Sequence, residues 1–230
     1  VLLWDLNDRT QPRRLGDALT ASTDRSAYGV AFSPDGHTLA TVSSDYTVAL
    51  WDLTDRTRPR RLVQPLTGHT ATVKSVAFSP DGHTVATGSV DFTVLLWDLI
   101  DRAKPRRLGQ PLTGYATQLE SVAFSPDGRI LATGSRDKAV ILWDLTDLAQ
   151  PRRLGQPLTG AVGSVAFSPD GHTLATDSDQ GGILWDLTPI EELRRNAVKE
   201  ACIRAGGSLD QTTWNVYAPG VSYHDTCASR

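Results

Sequence analysis

The sequence predicts an all-β fold, a segment of a β-propeller made of four-stranded blades. Two motifs that recur at one spacing lead to this prediction. The tripeptide Trp-Asp-Leu begins at Trp4, Trp51, Trp97, Trp143 and Trp185, at offsets of 47, 46, 46 and 42 residues. The motif Phe-Ser-Pro-Asp-Gly begins at Phe32, Phe78, Phe124 and Phe167, at offsets of 46, 46 and 43 residues. Two motifs with one shared period indicate a repeat in which each unit packs against its neighbours.

Within one repeat, the residue pattern predicts four strands, which we label a to d from the centre outward. Residues 73–79, 84–89 and 93–98 are rich in β-branched and aromatic side chains, and a Pro-Asp-Gly turn separates the first two segments. A polar connection then leads to Arg106, Arg107 and Leu108, followed by Pro111. Proline beside charged residues is typical of an exposed edge strand.

Four full a-b-c units and one partial unit follow from this pattern. The predicted organisation is a partial blade with strands c and d (1–20), four blades (21–66, 67–113, 114–158 and 159–187) and a tail (188–230). The fourth unit is four residues shorter than the others. Because the chain contains no methionine and opens in a strand-like run at Val1, we expect it to be the C-terminal part of a longer polypeptide.

The tail changes from strand-like to helical periodicity. Thr188, Pro189 and Glu191 form a capping-box start, and apolar residues then recur at helical spacing until Gly206. A second short helix is predicted over 210–217. We expect this tail to cover the outer edge of the last blade, with a regulatory docking helix as the alternative. Cys202 and Cys227 both lie in it and could form one disulfide or remain two free thiols.

These motifs resemble the WD40 repeat family over residues 1–187. The resemblance implies a structural hydrogen-bond set of His69, Ser89, Asp91 and Trp97 in the second full unit. Parts of the same set occur in the other units, namely Ser43, Asp45, Trp51, Ser135, Asp137, Trp143 and Trp185. The histidine is replaced by Tyr115 in the third unit and by Ala161 in the fourth. Closed rings in this family usually have seven blades, so further blades are expected. The tail is similar to the C-terminal segments of some actinobacterial WD-repeat proteins.

Composition limits the classes of partner. A formal net charge of −3 gives no overall attraction to nucleic acid or to anionic membranes, and no apolar run reaches the roughly 18 residues of a membrane span. Each c-to-d connection contains a pair of arginines and several aspartates. Because charges of both signs occur together, we predict that these connections form a solvated rim. The arginine pairs are Arg13–Arg14, Arg60–Arg61, Arg106–Arg107 and Arg152–Arg153. An acidic partner at the rim is the alternative. We expect no nucleic acid, no membrane, no export signal and a cytoplasmic location.

No catalytic or metal-binding motif is evident. His37, His83 and His172 each follow an Asp-Gly turn, but the repeat places them in different blades, too far apart to share one metal ion. The repeated strand-a positions are Val, Ala and Phe, not a converging cluster of acids and bases. We therefore predict a non-enzymatic chain without cofactors.

The family resemblance places binding surfaces on the face formed by the d-to-a and b-to-c loops. Positions on that face differ between the repeats while their surroundings stay constant, which predicts a composite partner site: Tyr28, Tyr46, Lys74, Phe92, Glu120 and Arg136. The leading hypothesis is a protein-binding scaffold or ligand-sensing propeller in a larger bacterial signalling protein, covalently attached to an N-terminal effector such as an NTPase, protease or kinase. The alternatives are a purely structural array that positions an effector and, less favoured, an enzyme-type propeller.

Overall fold

Eighteen β-strands form the described part of the computed structural model, which comprises residues 1–20, 26–160, 163–179 and 181–188. The partial blade contains β1 (Leu3–Asp5) and β2 (Arg13–Leu15). Blade 1 contains β3 (Ala27–Phe32), β4 (Thr38–Ser43), β5 (Val48–Asp52) and β6 (Arg60–Arg61). Blade 2 contains β7 (Val73–Phe78), β8 (Thr84–Ser89), β9 (Val94–Asp98) and β10 (Arg106–Leu112). Blade 3 contains β11 (Leu119–Phe124), β12 (Ile130–Ser135), β13 (Ala139–Asp144), β14 (Arg152–Arg153) and β15 (Leu158–Thr159). Blade 4 contains β16 (Val165–Phe167), β17 (Thr173–Ser178) and β18 (Gly181–Asp186).

Each blade is a separate antiparallel sheet whose strands pair in the order of the chain. Blades 1 and 2 follow the order a, b, c, d, while in blade 3 both β14 and β15 pair with strand c. The inner strands β3, β7, β11 and β16 lie beside one another from blade to blade. The sheets therefore succeed one another around a common inner side, as blades of a propeller do.

The turn between strands a and b is held by side chains of the Ser-Pro-Asp-Gly motif. In blade 2, the Ser79 hydroxyl accepts the Thr84 N–H at 2.9 Å, and Asp81 Oδ1 accepts the His83 N–H at 2.9 Å. Gly82 has a φ of 73°, a left-handed conformation that glycine adopts without steric cost. The same serine and aspartate contacts recur in the other three blades. This motif thus starts each hairpin at the same residue and fixes its register.

The main apolar core lies between successive blades. Val42 and Leu50 of blade 1 pack against Val85 and Trp97 of blade 2, and all four side chains are buried. Equivalent clusters join blades 2 and 3 and blades 3 and 4. Each such side chain contributes about 1.5–3 kcal/mol on burial, so a blade face is stable only against a neighbouring blade.

Strands c and d keep the same register in every unit that contains both. The tryptophan of the Trp-Asp motif lies opposite the second arginine of a basic pair, and the aspartate lies opposite the first, as in Trp97 with Arg107 and Asp98 with Arg106. The partial blade, blade 1 and blade 3 repeat this pairing. The basic pairs therefore lie along the exposed outer strand, where charged side chains hinder further strand addition.

The predicted all-β class is confirmed, and blades 1 and 2 have the predicted four strands. In blade 3 two short strands, β14 and β15, take the place of the single predicted strand d. Blade 4 has three strands within the described residues. The predicted helical tail lies outside them from residue 189 onward, and Cys202, Cys227 and Ala161 also lie outside them.

Candidate functional site

A chain of hydrogen bonds crosses blade 2 and links strands b and c, and the turn between them, with the loop before strand a. His69 Nδ1 lies 2.9 Å from Asp91 Oδ2, and His69 Nε2 lies 2.9 Å from Thr87 Oγ1. The Trp97 indole N–H donates to the same Thr87 oxygen at 3.0 Å. Asp91 also accepts the backbone N–H of Thr70 at 2.9 Å. His69, Thr87 and Trp97 are buried, so this network is a structural support and not an accessible reaction centre.

The hydroxyl that joins His69 to Trp97 in this network belongs to Thr87, which the sequence-based prediction did not include. Ser89 of the predicted set contacts the Asp91 end of the network, because its Oγ accepts the Asp91 N–H at 3.1 Å. Ser89 Oγ also donates to the backbone carbonyl oxygens of Ala71 and Thr72, at 3.1 and 2.9 Å. Ser89 therefore ties the end of strand b to the loop that precedes strand a.

The other blades carry variants of the same network. In blade 3 the Tyr115 hydroxyl lies 2.8 Å from Thr133 Oγ1 and accepts the Trp143 indole N–H at 2.8 Å, while Asp137 accepts the Ala116 N–H at 3.0 Å. Tyr115 thus fills the place of the histidine. In the remaining blades a threonine also accepts the tryptophan N–H, in the pairs Thr41–Trp51 and Thr176–Trp185. The hydroxyls of Ser43 and Ser135 lie beside Asp45 and Asp137 at the end of strand b.

Two titratable side chains in these networks, Asp91 and Tyr115, have shifted pKa values. Partial burial works against the charged form of Asp91, but hydrogen bonds from His69, Thr93 and Thr70 outweigh it and hold the pKa of Asp91 well below its ordinary value. Burial raises the pKa of Tyr115 well above its ordinary value, against smaller opposing effects of its hydrogen bonds to Thr133 and Trp143. Asp91 is therefore a fixed acceptor and Tyr115 a neutral hydroxyl, and neither is set to transfer protons near neutral pH.

The predicted partner residues lie at one end of the blades, which we call the loop face. It comprises Tyr28, Tyr46, Lys74, Phe92, Glu120, Arg136 and Lys138. The b-to-c turn is bonded to the residue before strand a in each case, as the N–H of Val90 donates to the Thr72 carbonyl at 2.9 Å. Ser44 to Ser26 and Arg136 to Gln118 are the equivalent bonds in blades 1 and 3. Both sets of variable positions therefore belong to one surface.

Three residues of the loop face adopt a left-handed backbone conformation. Tyr46, Phe92 and Lys138 occupy the same place in three b-to-c turns, with φ values of 72°, 66° and 67°. They directly follow the aspartates Asp45, Asp91 and Asp137, whose carboxylates accept the N–H two residues further on. Glycine is the usual residue in such a turn because a side chain is sterically disfavoured there. Tyr46 and Phe92 nevertheless present large apolar side chains that are 43% and 47% exposed.

Contacts between blades make the loop face continuous. The Lys74 ammonium lies 3.9 Å from the centre of the Tyr28 ring, which joins blades 2 and 1. Lys138 forms an ion pair with Asp179, which joins blades 3 and 4. Glu120 accepts a hydrogen bond from Gln118 at 2.5 Å within blade 3. The loop face thus combines aromatic rings with charges of both signs.

The histidines that follow the Asp-Gly turns lie at the opposite end of the blades. His37, His83 and His172 donate their backbone N–H groups to the aspartates of their own turns. No group of three or more His, Cys, Asp or Glu side chains within the described residues could hold a metal ion. No helix in the described part of the chain is long and apolar enough to cross a membrane.

The basic rim is engaged with its own blades. Arg106 Nε lies 2.8 Å from Asp98 Oδ2, and Arg13 lies 3.3 Å from Asp5. The guanidinium groups of Arg61 and Arg153 lie over the Trp51 and Trp143 rings, at 5.3 and 5.4 Å from their centres. These arginines are therefore already engaged in contacts that compete with an acidic partner.

Comparison with known families agrees with the repeat found in the sequence. A family model described as "WD domain, G-beta repeat" matches residues 15–52, 60–98, 107–144 and 152–186. Each match begins at or beside a d strand and ends at or next to the aspartate of a Trp-Asp motif. No curated protein matches the chain.

Proposed function

Because the chain belongs to the WD40 repeat family, whose repeats generally serve as scaffolds for protein–protein interaction, we propose that it binds a protein partner through the loop face. Propellers of this family are typically non-catalytic. The partner site consists of Tyr28, Tyr46, Lys74, Phe92, Glu120, Arg136 and Lys138, with aromatic rings as anchors and charges around them. Aromatic and arginine side chains are the types that contribute most to protein interfaces.

The left-handed conformation of Tyr46 and Phe92 is the observation that supports this proposal most strongly. A side chain in this conformation costs about 1 kcal/mol or more relative to glycine. Both rings are also half exposed, so burial within the blade repays little of that cost. Strain of this kind is typical of sites where a side chain has to be presented in one direction.

The arrangement around these rings fits an interface. The carboxylate of the aspartate before each ring accepts the backbone N–H two residues further along the chain. This hydrogen bond makes the turn rigid before a partner binds. Rigid aromatic side chains lose little conformational entropy on binding, so more of the contact energy appears as affinity.

The test is capture of partners by the Tyr46→Gly, Phe92→Gly double variant. Glycine removes both rings and relieves the turn, so we expect thermal stability to be unchanged or higher while the captured partner falls about tenfold or more. The matched control is Ile100→Ser, which removes another exposed apolar side chain, 73% exposed, at the opposite end of the blade. We expect this control to retain the partner.

Equal capture by wild type, double variant and control would contradict the proposal. It would favour the alternative, a structural array that positions an attached effector domain and binds nothing through the loop face. Loss of capture together with loss of stability would also contradict the proposal, because the rings would then serve the fold.

A further inference from the structure

One position of the loop face comes directly after strand b, and its side chain changes in chemistry from blade to blade. Ser44, Val90, Arg136 and Asp179 occupy it in blades 1 to 4. In blade 4 this position contacts the blade before it, because Asp179 forms an ion pair with Lys138 of blade 3. Lys138 is the left-handed residue of its own b-to-c turn. A left-handed residue of one blade thus reaches the position after strand b of the next blade.

The repeat gives the other two left-handed residues the same relation to the blade that follows. Phe92 has nearly the φ of Lys138, 66° against 67°, and strands b and c pair in the same register in blades 2 and 3. The equivalent pairs are therefore Phe92 with Arg136 and Tyr46 with Val90. In chain order, the three junctions between blades present an aromatic ring with a valine, an aromatic ring with an arginine, and an ion pair.

Arg136 differs from the other cations of the loop face in having no charged partner. Lys138 is paired with Asp179, and the Lys74 ammonium lies on the Tyr28 ring. Arg136 is exposed, and no side chain of the described residues forms an ion pair with its guanidinium group. Its positive charge is therefore available to a partner.

A single free guanidinium group beside an aromatic ring favours a carboxylate. Its planar fork of N–H donors matches the oxygens of a carboxylate and gives the contact a direction. A phosphate group carries more charge and usually requires a cluster of arginines. Lys138 cannot complete such a cluster, because Asp179 already balances its charge. The exposed ring of Phe92 offers an apolar contact next to the charge.

We propose that the partner segment bound by the loop face carries an acidic side chain, Asp or Glu, beside an apolar one. The carboxylate binds the guanidinium group of Arg136, and the apolar side chain packs on Phe92 at the same junction. The acidic residue thereby orients the segment, with its apolar end directed towards Tyr46 and Val90. The proposal rests on the binding function proposed above for the loop face and specifies the chemistry of the partner.

Selection from a random peptide library tests this chemistry. An extended chain advances about 3.3 Å per residue, so phage-displayed peptides of about twelve residues can span several blades. The library is selected on the intact chain, on Arg136→Glu and, as matched control, on Arg129→Glu, which reverses another exposed arginine at the opposite end of blade 3. Wild type and control should enrich peptides with Asp or Glu beside an apolar residue. Arg136→Glu should enrich peptides with Lys or Arg in that place.

A double-variant cycle on one selected peptide then measures the pairing itself. Replacement of the acidic residue by its amide should weaken binding to wild type about tenfold, as measured by fluorescence anisotropy. The same replacement should have little effect on binding to Arg136→Gln, because the guanidinium group is then absent. Since this position holds serine, valine or aspartate in the other blades, the Arg136 variants should fold, as circular dichroism can verify.

The outcomes separate the identity of the partner from the binding function of the loop face. Peptides that bind wild type but not the Tyr46→Gly, Phe92→Gly double variant, and that carry no acidic residue, would overturn the acidic partner and leave the binding function. Acidic peptides that bind Arg136→Glu as tightly as wild type would overturn it too. If every selected peptide binds that double variant and wild type equally, the binding function itself fails, and the acidic partner fails with it.

Discussion

The Thr87 hydroxyl serves two buried nitrogen atoms at once. When a neutral His69 donates from Nδ1 to Asp91, the Thr87 hydroxyl donates to His69 Nε2 and accepts the Trp97 indole N–H. A buried polar atom without a partner costs about 1–3 kcal/mol, so this single oxygen matters to the blade.

We expect Thr87→Val to lower the free energy of unfolding by about 2 kcal/mol, since it leaves both nitrogen atoms without this partner. Thr41→Val in blade 1 is the matched control, because Thr41 accepts the Trp51 indole N–H and, within the described residues, bonds no histidine. Its cost should be about 1 kcal/mol. Urea unfolding followed by circular dichroism measures both, and equal losses would contradict the role of Thr87 as a link.

The lowered pKa of Asp91 predicts that the free energy of unfolding depends on pH in the acidic range. Its pKa is lower in the folded chain than the ordinary value of 3.8, so its ionised form stabilises the fold above that value. This contribution falls as the pH drops below 3.8 towards the folded pKa. The Asp91→Asn variant lacks it, so the stability gap between wild type and variant should narrow below pH 3.8. A gap that stays constant from neutral to acidic pH, in urea titrations, would show that the charge of Asp91 contributes nothing.

Spacing in the sequence predicts the histidine, aspartate and tryptophan of the network but not its hydroxyl. Thr87 and Ser89 both lie on strand b and point to the same face, so residue type does not separate them. Register does: Val85 lies opposite Trp97, which makes Thr87 the diagonal neighbour and places Ser89 two residues further away. A threonine ten residues before the tryptophan in blades 1, 2 and 3 was the available signal.

Strand d is the element that departs most from the sequence-based expectation. A single edge strand was predicted for each blade, but the pairing with strand c shifts or breaks after the leucine that follows each basic pair. Gly109 and Gly155 occupy this point in blades 2 and 3, with φ values of 57° and 67°. A left-handed residue turns the strand locally, as in a β-bulge, and hydrophobic patterns do not reveal where that occurs.

These two glycines give a matched prediction. A Cβ at Gly109 would lie 2.8 Å from the Ala149 carbonyl oxygen, whereas a Cβ at Gly155 would meet nothing within 4 Å. Gly155→Ala should therefore cost about 1 kcal/mol from backbone conformation alone. Gly109→Ala should cost more, because the backbone of the next blade's c-to-d loop must also move. Thermal unfolding of the two variants measures the difference, and the reverse order would contradict this account of strand d.

At the scale of the whole molecule, the charges are arranged in pairs and not in a field of one sign. The net charge is −3. Among the arginines of the rim, Arg13 and Arg106 pair with aspartates, and Arg61 and Arg153 lie over tryptophan rings of their own blades. We therefore expect no binding of a fluorescent DNA duplex of about 20 base pairs at about 0.15 M salt. Fluorescence anisotropy measures this, and saturable binding that weakens steeply with added salt would contradict it.

The repeat made the blades predictable at this scale, because two motifs with one period define both the strand order and the packing of neighbours. The burial of Trp51, Trp97 and Trp143 between blades follows from the same logic. The strained turns at Tyr46 and Phe92 do not, since they break the local preference for glycine. The sequence marked these positions as variable, and only the backbone angles distinguish them from other loop residues.

Site-specific photocrosslinking tests the central claim, that the loop face binds a protein. A photoreactive phenylalanine analogue replaces Tyr46, Phe92 or, as control, Ile100, and the chain is irradiated in an extract of its source cells. We predict adducts of the same mass at positions 46 and 92, which lie on adjacent blades, and none of that mass at position 100. Adducts at position 100 alone, or no adduct at positions 46 and 92, would contradict the claim.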